Sequence, residues 1–318
     1  MLFNEPVGFR LSSKVRTSLE SIVYYPFHMH ENVIEILCIV NGTITVCNSA
    51  LDYELSFGDV YIINPKEPHK IFSDDPENII LTIQIDRDHY SRFYEGFDLI
   101  YFVCGSNVEQ DHYAYELRYL RFLLAKLYTE YDKQNPSDIF TEELVKELFN
   151  LLIQQFQYYT YKKTVNGEYR IVRRRHNDYN KQYLEMIYKI IDYIYDKYNT
   201  KLTLHDVAAR EFLSTSHLSR YIKKYSGLSF SELLSLARCE EAERLLCITD
   251  KTVDQIATDV GFSNRNHLTV QFKKWFSKTP AQYRKSIMAD LDNSSNIQFK
   301  TFDYDFAQLI IGSYLNGY

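Results

Sequence analysis

Four side chains near the start of the chain could act together: His28, His30, Glu35 and His69. On an extended strand side chains alternate, so both imidazoles of His28-x-His30 face the same way. Two or three ring nitrogens with one carboxylate oxygen suit Zn, Fe, Mn or Ni, and the same set can hold a small polar molecule. A second group lies far along the chain. Ser216, Ser219, Arg220 and Lys223 follow i, i+3, i+4, i+7, with Leu218, Ile222 and Tyr225 on the opposite stripe. An arginine on such a face can hold guanine O6 and N7 together, with Ser216 and Ser219 as adaptable partners. Near the same relative place 50 residues on, Arg265, Asn266 and Thr269 share a face while Leu268 and Phe272 point inward. Asparagine can pair with adenine and threonine can meet a thymine methyl. Lys223, Lys224, Lys273 and Lys274 suit phosphates, which set affinity and salt dependence rather than sequence.

The elements that would position these groups can be read from pattern. Val33 to Val40 and Thr43 to Val46 are β-branched runs joined by Asn41-Gly42, a hairpin signal. Ser56-Phe57-Gly58-Asp59 marks another turn before Val60 to Ile63, and Ile79 to Ile85 is a further strand. Short strands at this spacing predict a barrel or sandwich up to about residue 103. Helical periodicity follows through Leu117, Leu120, Leu124, Leu127 and Tyr131. After a break at Asn135-Pro136, with Ser137 or Asp138 as cap, it resumes through Leu144, Leu148, Leu151 and Leu152. These two helices either pack on the barrel or dimerise through their outer face. Residues 163–180, with Arg173-Arg174-Arg175, read as a linker.

From Lys181 onward the reading is all helix. Tyr183, Ile187, Ile190, Ile191 and Ile194 give a first helix, and Thr203 with Asp206 forms a capping box for the next. Paired alanines, a tight turn at Phe212-Leu213-Ser214 and a helix to Tyr225 make a helix-turn-helix, closed by Gly227. Thr252 to Ile256, Gly261-Phe262-Ser263 and Asn264 to Phe276 repeat it, and Ser229 to Thr249 reads as one connecting helix.

Two resemblances attach to these residues. His28-x-His30, Glu35 and Gly42 match the first cupin motif at every spacing; Gly58 and His69 fit the second, with Pro68 where a glycine is usual. The resemblance implies a small cupin-like barrel. Leu202-Thr203-Leu204, Ser214-x-Ser216-His217-Leu218-Ser219-Arg220 and Gly227-Leu228-Ser229-Phe230 resemble the AraC/XylS family of transcription regulators. So do Ile256-Ala257-x-x-Val260-Gly261-Phe262, Phe272-Lys273-Lys274 and Thr279-Pro280-x-x-Tyr283-Arg284. Two positions depart from that pattern: Val270 where arginine is common, and Ser277 where glycine is frequent. The expected architecture is α+β: an N-terminal β-barrel with two packing or dimerisation helices, then an all-α domain of two helix-turn-helix units joined by a linker helix. The expected domains are 1–162 for effector binding and dimerisation, 163–180 as linker, 181–285 for DNA binding, and 286–318 as an extension. In that extension Phe299, Phe302, Phe306, Leu309, Ile310, Ile311 and Tyr314 predict docking, while its acidity allows it instead to shield the basic domain.

Charge agrees with a nucleic-acid partner only once divided. The net charge of −6 is the sum of −11 over residues 1–162, +8 over 163–285 and −3 over 286–318. Such asymmetry points to nucleic acid. No apolar run reaches the ~18–20 residues of a membrane span, and the first residues lack a basic patch with an apolar core. Five cysteines without a CxxC pair suggest reduced thiols. The family resemblance implies a cytoplasmic homodimer that binds double-stranded DNA, meets RNA polymerase at the promoter and senses a small effector. The expected effector is a sugar near His28, His30, Glu35 and His69, with no cofactor; if a metal is held, the same four are its ligands. Two rivals stand beside this reading: a metal-dependent cupin isomerase or dioxygenase, and a DNA-binding regulator with no effector.

Overall fold

The computed structural model describes residues 3–48, 51–94, 96–97, 100–104, 114–157, 159–163, 169–173, 181–292, 297–302, 306–307 and 309–312. They fall into two compact units, one of residues 158–289 and one of residues 3–157 with the segment from 290 onward.

The N-terminal unit is built on β1 (Phe3–Asn4), β2 (Val15–Met29), β3 (Val33–Asn41), β4 (Thr43–Asn48), β5 (Leu51–Ser56), β6 (Val60–Ile63), β7 (His69–Phe72) and β8 (Ile79–Asp86). Hydrogen bonding runs in the order β5-β4-β7-β2-β8-β3-β6, a nearly closed antiparallel barrel with β1 added parallel to β2. The long β2 serves both halves of it. Val15 to Glu20 pair with β8, and Tyr24 to His28 pair with β7. Between them the Asn78 side chain stands in for a strand, accepting from the Ile22 N–H and donating to the Ile22 carbonyl, both at 3.0 Å.

Period-2 alternation sorts the strand residues. On β3, Leu37 and Ile39 join the barrel interior with Ile44, Val46, Leu55, Tyr61, Ile63, Ile71 and Ile80. Ile34, Ile36, Cys38 and Val40 face outward into a second core with the helices. Both faces are covered, which is why β3 reads as one continuous apolar run. The Asn41-Gly42 step is not a hairpin. β3 pairs with β6 and β8, while β4 pairs with β5 and β7. A two-residue hairpin loop needs partner strands on both sides; here Gly42 alone, at φ 70°, turns the chain from one half of the barrel to the other. The β7–β8 connection holds that turn, with Asn41 donating to the Glu77 carbonyl at 2.8 Å and the Thr43 N–H donating to Asp75 at 3.3 Å.

After the short α1 (Arg87–Ser91), α2 (Ala114–Tyr131) and α3 (Asp138–Gln155) carry the two leucine stripes. Ser137 caps α3 by accepting from the Phe140 N–H. Leu117, Leu120, Leu124, Leu127, Leu144, Leu148 and Leu152 pack with the outward residues of β3 and β8. All five cysteines are buried and none forms a disulfide.

The second unit begins with an antiparallel pair, β9 (Tyr159–Lys163) and β10 (Tyr169–Arg173), so part of the expected linker is paired strand. Residues 164–168 and 174–180, with two of the three arginines of the triplet, lie outside the described residues. Among the described residues there follow α4 (Lys181–Lys197), α5 (Leu204–Arg210), α6 (Thr215–Ser226), α7 (Phe230–Ile248), α8 (Val253–Asp259), α9 (Arg265–Phe276) and α10 (Pro280–Asp292). Capping boxes start α5 (Thr203, Asp206), α7 (Ser229, Glu232) and α8 (Thr252, Gln255), each satisfying helix-end N–H groups. The connecting α7 is buried along Leu233, Leu236, Ala237, Ala242, Leu245 and Leu246. Arg284 closes its C-terminal end, donating to the carbonyls of Leu246, Thr249 and Lys251. Tyr283 is buried and bonds Glu243, so Tyr283-Arg284 pins the second unit to the connecting helix.

The segment after α10 returns to the barrel unit. β11 (Gln298–Thr301) pairs antiparallel with β2, Gln298 opposite Tyr24 and Thr301 opposite Glu20. Phe302 N–H donates to the Leu19 carbonyl at 3.1 Å, and Ala307 and Ile311 are buried in the core shared by barrel and helices. An edge of β2 is thereby covered rather than left open to other strands.

Candidate ligand site and candidate nucleic-acid interface

Strand register brings the first group together. His28 on β2 stands opposite His69 on β7, His30 lies just past the end of β2, and Glu35 on β3 is opposite Gln84 on β8. The four ligand-type side chains are all buried, and one ring nitrogen or oxygen from each lies within 4.8 Å of the others. Each imidazole uses its Nδ1 on a backbone carbonyl: His28 on Pro26 at 2.9 Å, His69 on Glu67 at 2.9 Å and His30 on Glu5 at 3.0 Å. A carbonyl only accepts, so Nδ1 carries the proton and Nε2 turns a lone pair to the centre in the neutral ring. Glu35 Oε1 accepts from Gln84 at 2.7 Å. Its Oε2 lies 3.0 Å from His69 Nε2 and 3.7 Å from His30 Nε2, yet these three atoms make no aligned hydrogen bond.

With the rings neutral, the centre of the cluster is rich in acceptors and short of donors. Burial, with His69 and His30 as close neighbours, holds the His28 imidazole well below its ordinary range. For His30 burial pulls the same way, but the Glu35 carboxylate outweighs it and the value is raised. Burial acts to raise the Glu35 carboxyl, and the facing imidazoles of His30 and His69 nonetheless hold it well below the carboxylate range. Unpaired buried acceptors in one spot are costly, and two kinds of guest relieve them: a divalent ion or a molecule rich in O–H or N–H donors. Three imidazole nitrogens and a carboxylate, each imidazole fixed by a hydrogen bond at its far nitrogen, fit a divalent transition-metal ion. All four candidate residues meet at one place, so the spacing argument holds for their assembly.

Sequence reasoning missed the residues around them. Glu5 reaches His28 at 3.7 Å and accepts from the Tyr25 hydroxyl at 2.7 Å, and Gln84 orients Glu35. Ser18 pairs with Thr82, Arg16 with Gln84 and Glu20 with Ile80 across β2 and β8. Paired residues share a face, so Arg16, Ser18, Glu20 and Thr82 continue the polar wall that Gln84 begins. Burial raises the Glu20 carboxyl despite Ser18 and Arg16 beside it. No local motif marks these residues; only the register does.

The second group occupies the two helix-turn-helix units. The units superpose in sequence with a one-residue step. Ala208 and Ala257 are 49 positions apart and accept equivalent turn bonds, from Leu213 at 2.9 Å and Phe262 at 2.8 Å. Leu218 and Leu268, both fully buried in the second helices, are 50 apart, so the second turn is one residue longer. On α6, Ser216, Arg220, Lys223 and Lys224 are exposed and Ser219 is half-buried. On α9, Arg265, Asn266, Lys273 and Lys274 are exposed and Thr269 is half-buried. Arg220 Nε lies 3.4 Å from the Ser216 carbonyl, aligned along the exposed face. Arg265 is at the first position of α9 and sits 3.6 Å from Asp254. Lys223 donates to the Gly227 carbonyl at 2.8 Å, and Lys223 and Lys274 both approach Glu232, at 3.9 and 3.4 Å. Two of the four phosphate candidates thus share one carboxylate before any ligand arrives.

Fold and faces together define a class: an antiparallel barrel followed by a double helix-turn-helix unit. A family model described as "Helix-turn-helix domain" matches residues 207–286. An uncharacterized HTH-type transcriptional regulator of Staphylococcus aureus (strain COL) is 26% identical over 275 residues, 85% of this chain and 32% of the relative. The regulatory protein PocR of Salmonella typhimurium is 33% identical over 99 residues, 31% of this chain and 33% of PocR. The chain thus spans about a third of the length of the curated relatives it matches. Among solved structures, the C-terminal domain of the response regulator AraT from Geobacillus stearothermophilus is 35% identical, covering 31% of this chain and 82% of that one, with a TM-score of 0.30. ToxT from Vibrio cholerae is 15% identical over 86% of this chain and 98% of its own, with a TM-score of 0.43. Residues 207–286 thus carry a helix-turn-helix domain, and 85% of the chain is similar to HTH-type transcriptional regulators. The relatives named are transcriptional or regulatory proteins, and no described helix is long and apolar enough to cross a membrane.

Proposed function

We propose that this chain is a cytoplasmic, sequence-specific DNA-binding regulator of transcription that responds to a small polar effector held in the barrel. The observation that carries the DNA-binding half is the duplication: two equivalent helices, α6 and α9, each present an exposed polar and cationic face while burying a leucine at the same position. Arg220, with Ser216 and Ser219, reads bases in one major groove; Arg265, Asn266 and Thr269 read the next. Lys223, Lys224, Lys273 and Lys274 contact phosphates, and the two grooves lie about one helical turn (~34 Å) apart. In a homodimer the barrel units join through the outer faces of α2 and α3, where Tyr115 and Ile139 are exposed. The regulator activates, meeting RNA polymerase at the promoter.

The effector half rests on chemistry. An acceptor-rich centre among His28, His30, Glu35 and His69, continued by a polar wall, suits a guest with several hydroxyl donors, and a sugar is the simplest such molecule. Binding alters how the barrel and α2–α3 present the C-terminal unit. A second reading follows from the same unpaired nitrogens: a divalent ion on the four residues, which would neutralise Glu35 and offer coordination positions to an oxygen-bearing guest. Elemental analysis of purified protein separates the two, and a thermal-shift screen against sugars tests the first. For DNA, selection of sites from a randomised duplex library by the purified full chain should enrich two short motifs about a turn apart. Arg220→Ala with Arg265→Ala should abolish that enrichment; enrichment surviving both changes would refute the assignment.

A further inference from the structure

The two groove-facing helices differ at their centres. On α6 the exposed arc runs through Ser216, Arg220 and Lys223; on α9 it runs through Asn266, Val270 and Lys273, each residue 50 positions after its counterpart. These positions follow i, i+4, i+7, so the middle one sits at the crest of the arc. Val270 is 65% exposed there. Its neighbours on the arc are Arg265, Asn266, His267, Lys273 and Lys274, all exposed and polar. A lone exposed aliphatic side chain is ordinary in itself. This one occupies the position at which the duplicate unit places its base-reading arginine, flanked by two lysines suited to phosphate.

Among the base edges of the major groove, the apolar group that meets such a side chain is the 5-methyl of thymine. We propose that Val270 is a specificity-determining residue of the second unit, and that it selects a T·A pair by packing on that methyl. The assignment rests on the reading of α9 as a groove-facing helix. The two units then read by different chemistry. Arg220 seeks the paired acceptors of guanine, and Val270 seeks a hydrocarbon surface and rejects a pair that leaves it against polar edges. Because Val270 makes no part of the core, substitutions there leave the fold intact, which circular dichroism melting verifies.

The test uses the full chain and the duplex it selects from a randomised library. In that duplex the thymine facing α9 is replaced by deoxyuridine, which removes the methyl and keeps the Watson–Crick edge. Wild-type affinity, read by fluorescence anisotropy, should fall about three- to tenfold, in the range of a single mismatched pair. Val270→Ala should bind the thymine and deoxyuridine duplexes within twofold of each other. Val270→Arg should select a G·C pair at that position and leave the motif facing α6 unchanged. Equal wild-type affinity for the two duplexes, or an unaltered selected motif in both variants, would overturn the proposal. A library from which the wild type enriches nothing would instead overturn the DNA-binding reading, and the Val270 assignment with it.

Discussion

In the barrel, His28, His30, Glu35 and His69 are 4% exposed or less, and each is fixed by strand register and a backbone or glutamine hydrogen bond. On α6 and α9, Arg220, Asn266 and the lysines are exposed at the surface. Both are sets of polar groups suited to a ligand. They differ in where the cost of polarity is met. The barrel bears it within the folded chain, so its side chains are bound up with stability; the helix faces bear it only on binding, so theirs are bound up with affinity. A substitution in one region should move a melting curve, and in the other a binding curve.

Glu35→Ala tests the barrel side of that contrast most severely. It leaves His30, His69 and the Gln84 amide buried without their carboxylate, and removing one member of a buried charged network costs about 3–5 kcal/mol. Calorimetry should show the barrel transition falling while that of the C-terminal unit stays put. The pH response has a sign that can be worked out. His28 stays neutral in the folded barrel where the unfolded imidazole, near 6.5, takes a proton. Its contribution is present above pH ~6.5 and is lost as the pH falls below it. His30, with a raised value, acts oppositely, adding stability below pH ~6.5 that is lost as the pH rises through its folded value. Glu35 contributes above the carboxylate range and loses that only in strong acid. The His28 shift, well below its ordinary range, is the larger of the two, so in chelator-treated protein the barrel should melt lower at pH 5 than at pH 7, and His28→Asn should flatten that acid limb. An acid limb untouched by the substitution would place the titrating group elsewhere.

Next in size is the returning segment. Removing residues 298–312 exposes an edge of β2 and withdraws Ile311, Ala307 and Phe302 from the core. One fully buried isoleucine with a partly buried phenylalanine is worth about 3 kcal/mol. The loss should appear in the barrel transition, with DNA affinity of the protein that remains folded unchanged. A change in affinity without a change in melting would make this segment part of the DNA-binding face instead. Smaller still is Arg220→Ala, which should weaken binding to the selected duplex by about 1–3 kcal/mol and leave both melting transitions in place.

The regions also differ in how far sequence alone exposes them. The helix-turn-helix units are legible because their logic is local: Thr203 with Asp206, Gly227 and the 50-residue repeat all speak within a few turns of helix. The histidine cluster is legible in part, since His28-x-His30 and Glu35 lie within one strand-turn-strand. Glu5, Arg16, Glu20 and Gln84 join it through pairings that no spacing encodes. The same non-locality hides the Gly42 crossing, where a strong hairpin dipeptide lies between strands whose hydrogen-bond partners are β8 and β7 rather than each other. On α9, residue type draws attention to Thr269, and burial adds what type does not show: Thr269 is half-buried and the next residue, Val270, is exposed.

A finer difference separates the turns before α6 and α9. Phe212 and Gly261 occupy equivalent places 49 positions apart and both take the left-handed region, at φ 55° and 84°. Gly261 is required there twice over, because an added Cβ would also meet the Asn199 backbone at 2.9 Å. Phe212 has no such neighbour; it is 96% exposed, and its Cβ bears the left-handed penalty of ~1–2 kcal/mol. Asparagine tolerates this conformation better than phenylalanine and keeps the unfolded chain less free than glycine would. Phe212→Asn should therefore raise the stability of the C-terminal unit by about 0.5–1 kcal/mol, while Gly261→Ala lowers it. If Phe212→Asn stabilises and DNA affinity holds, the strain at Phe212 is incidental to the turn. If it stabilises and affinity falls, the exposed ring beside the N-terminus of α6 belongs to the DNA-binding face, and the left-handed turn is what holds it there.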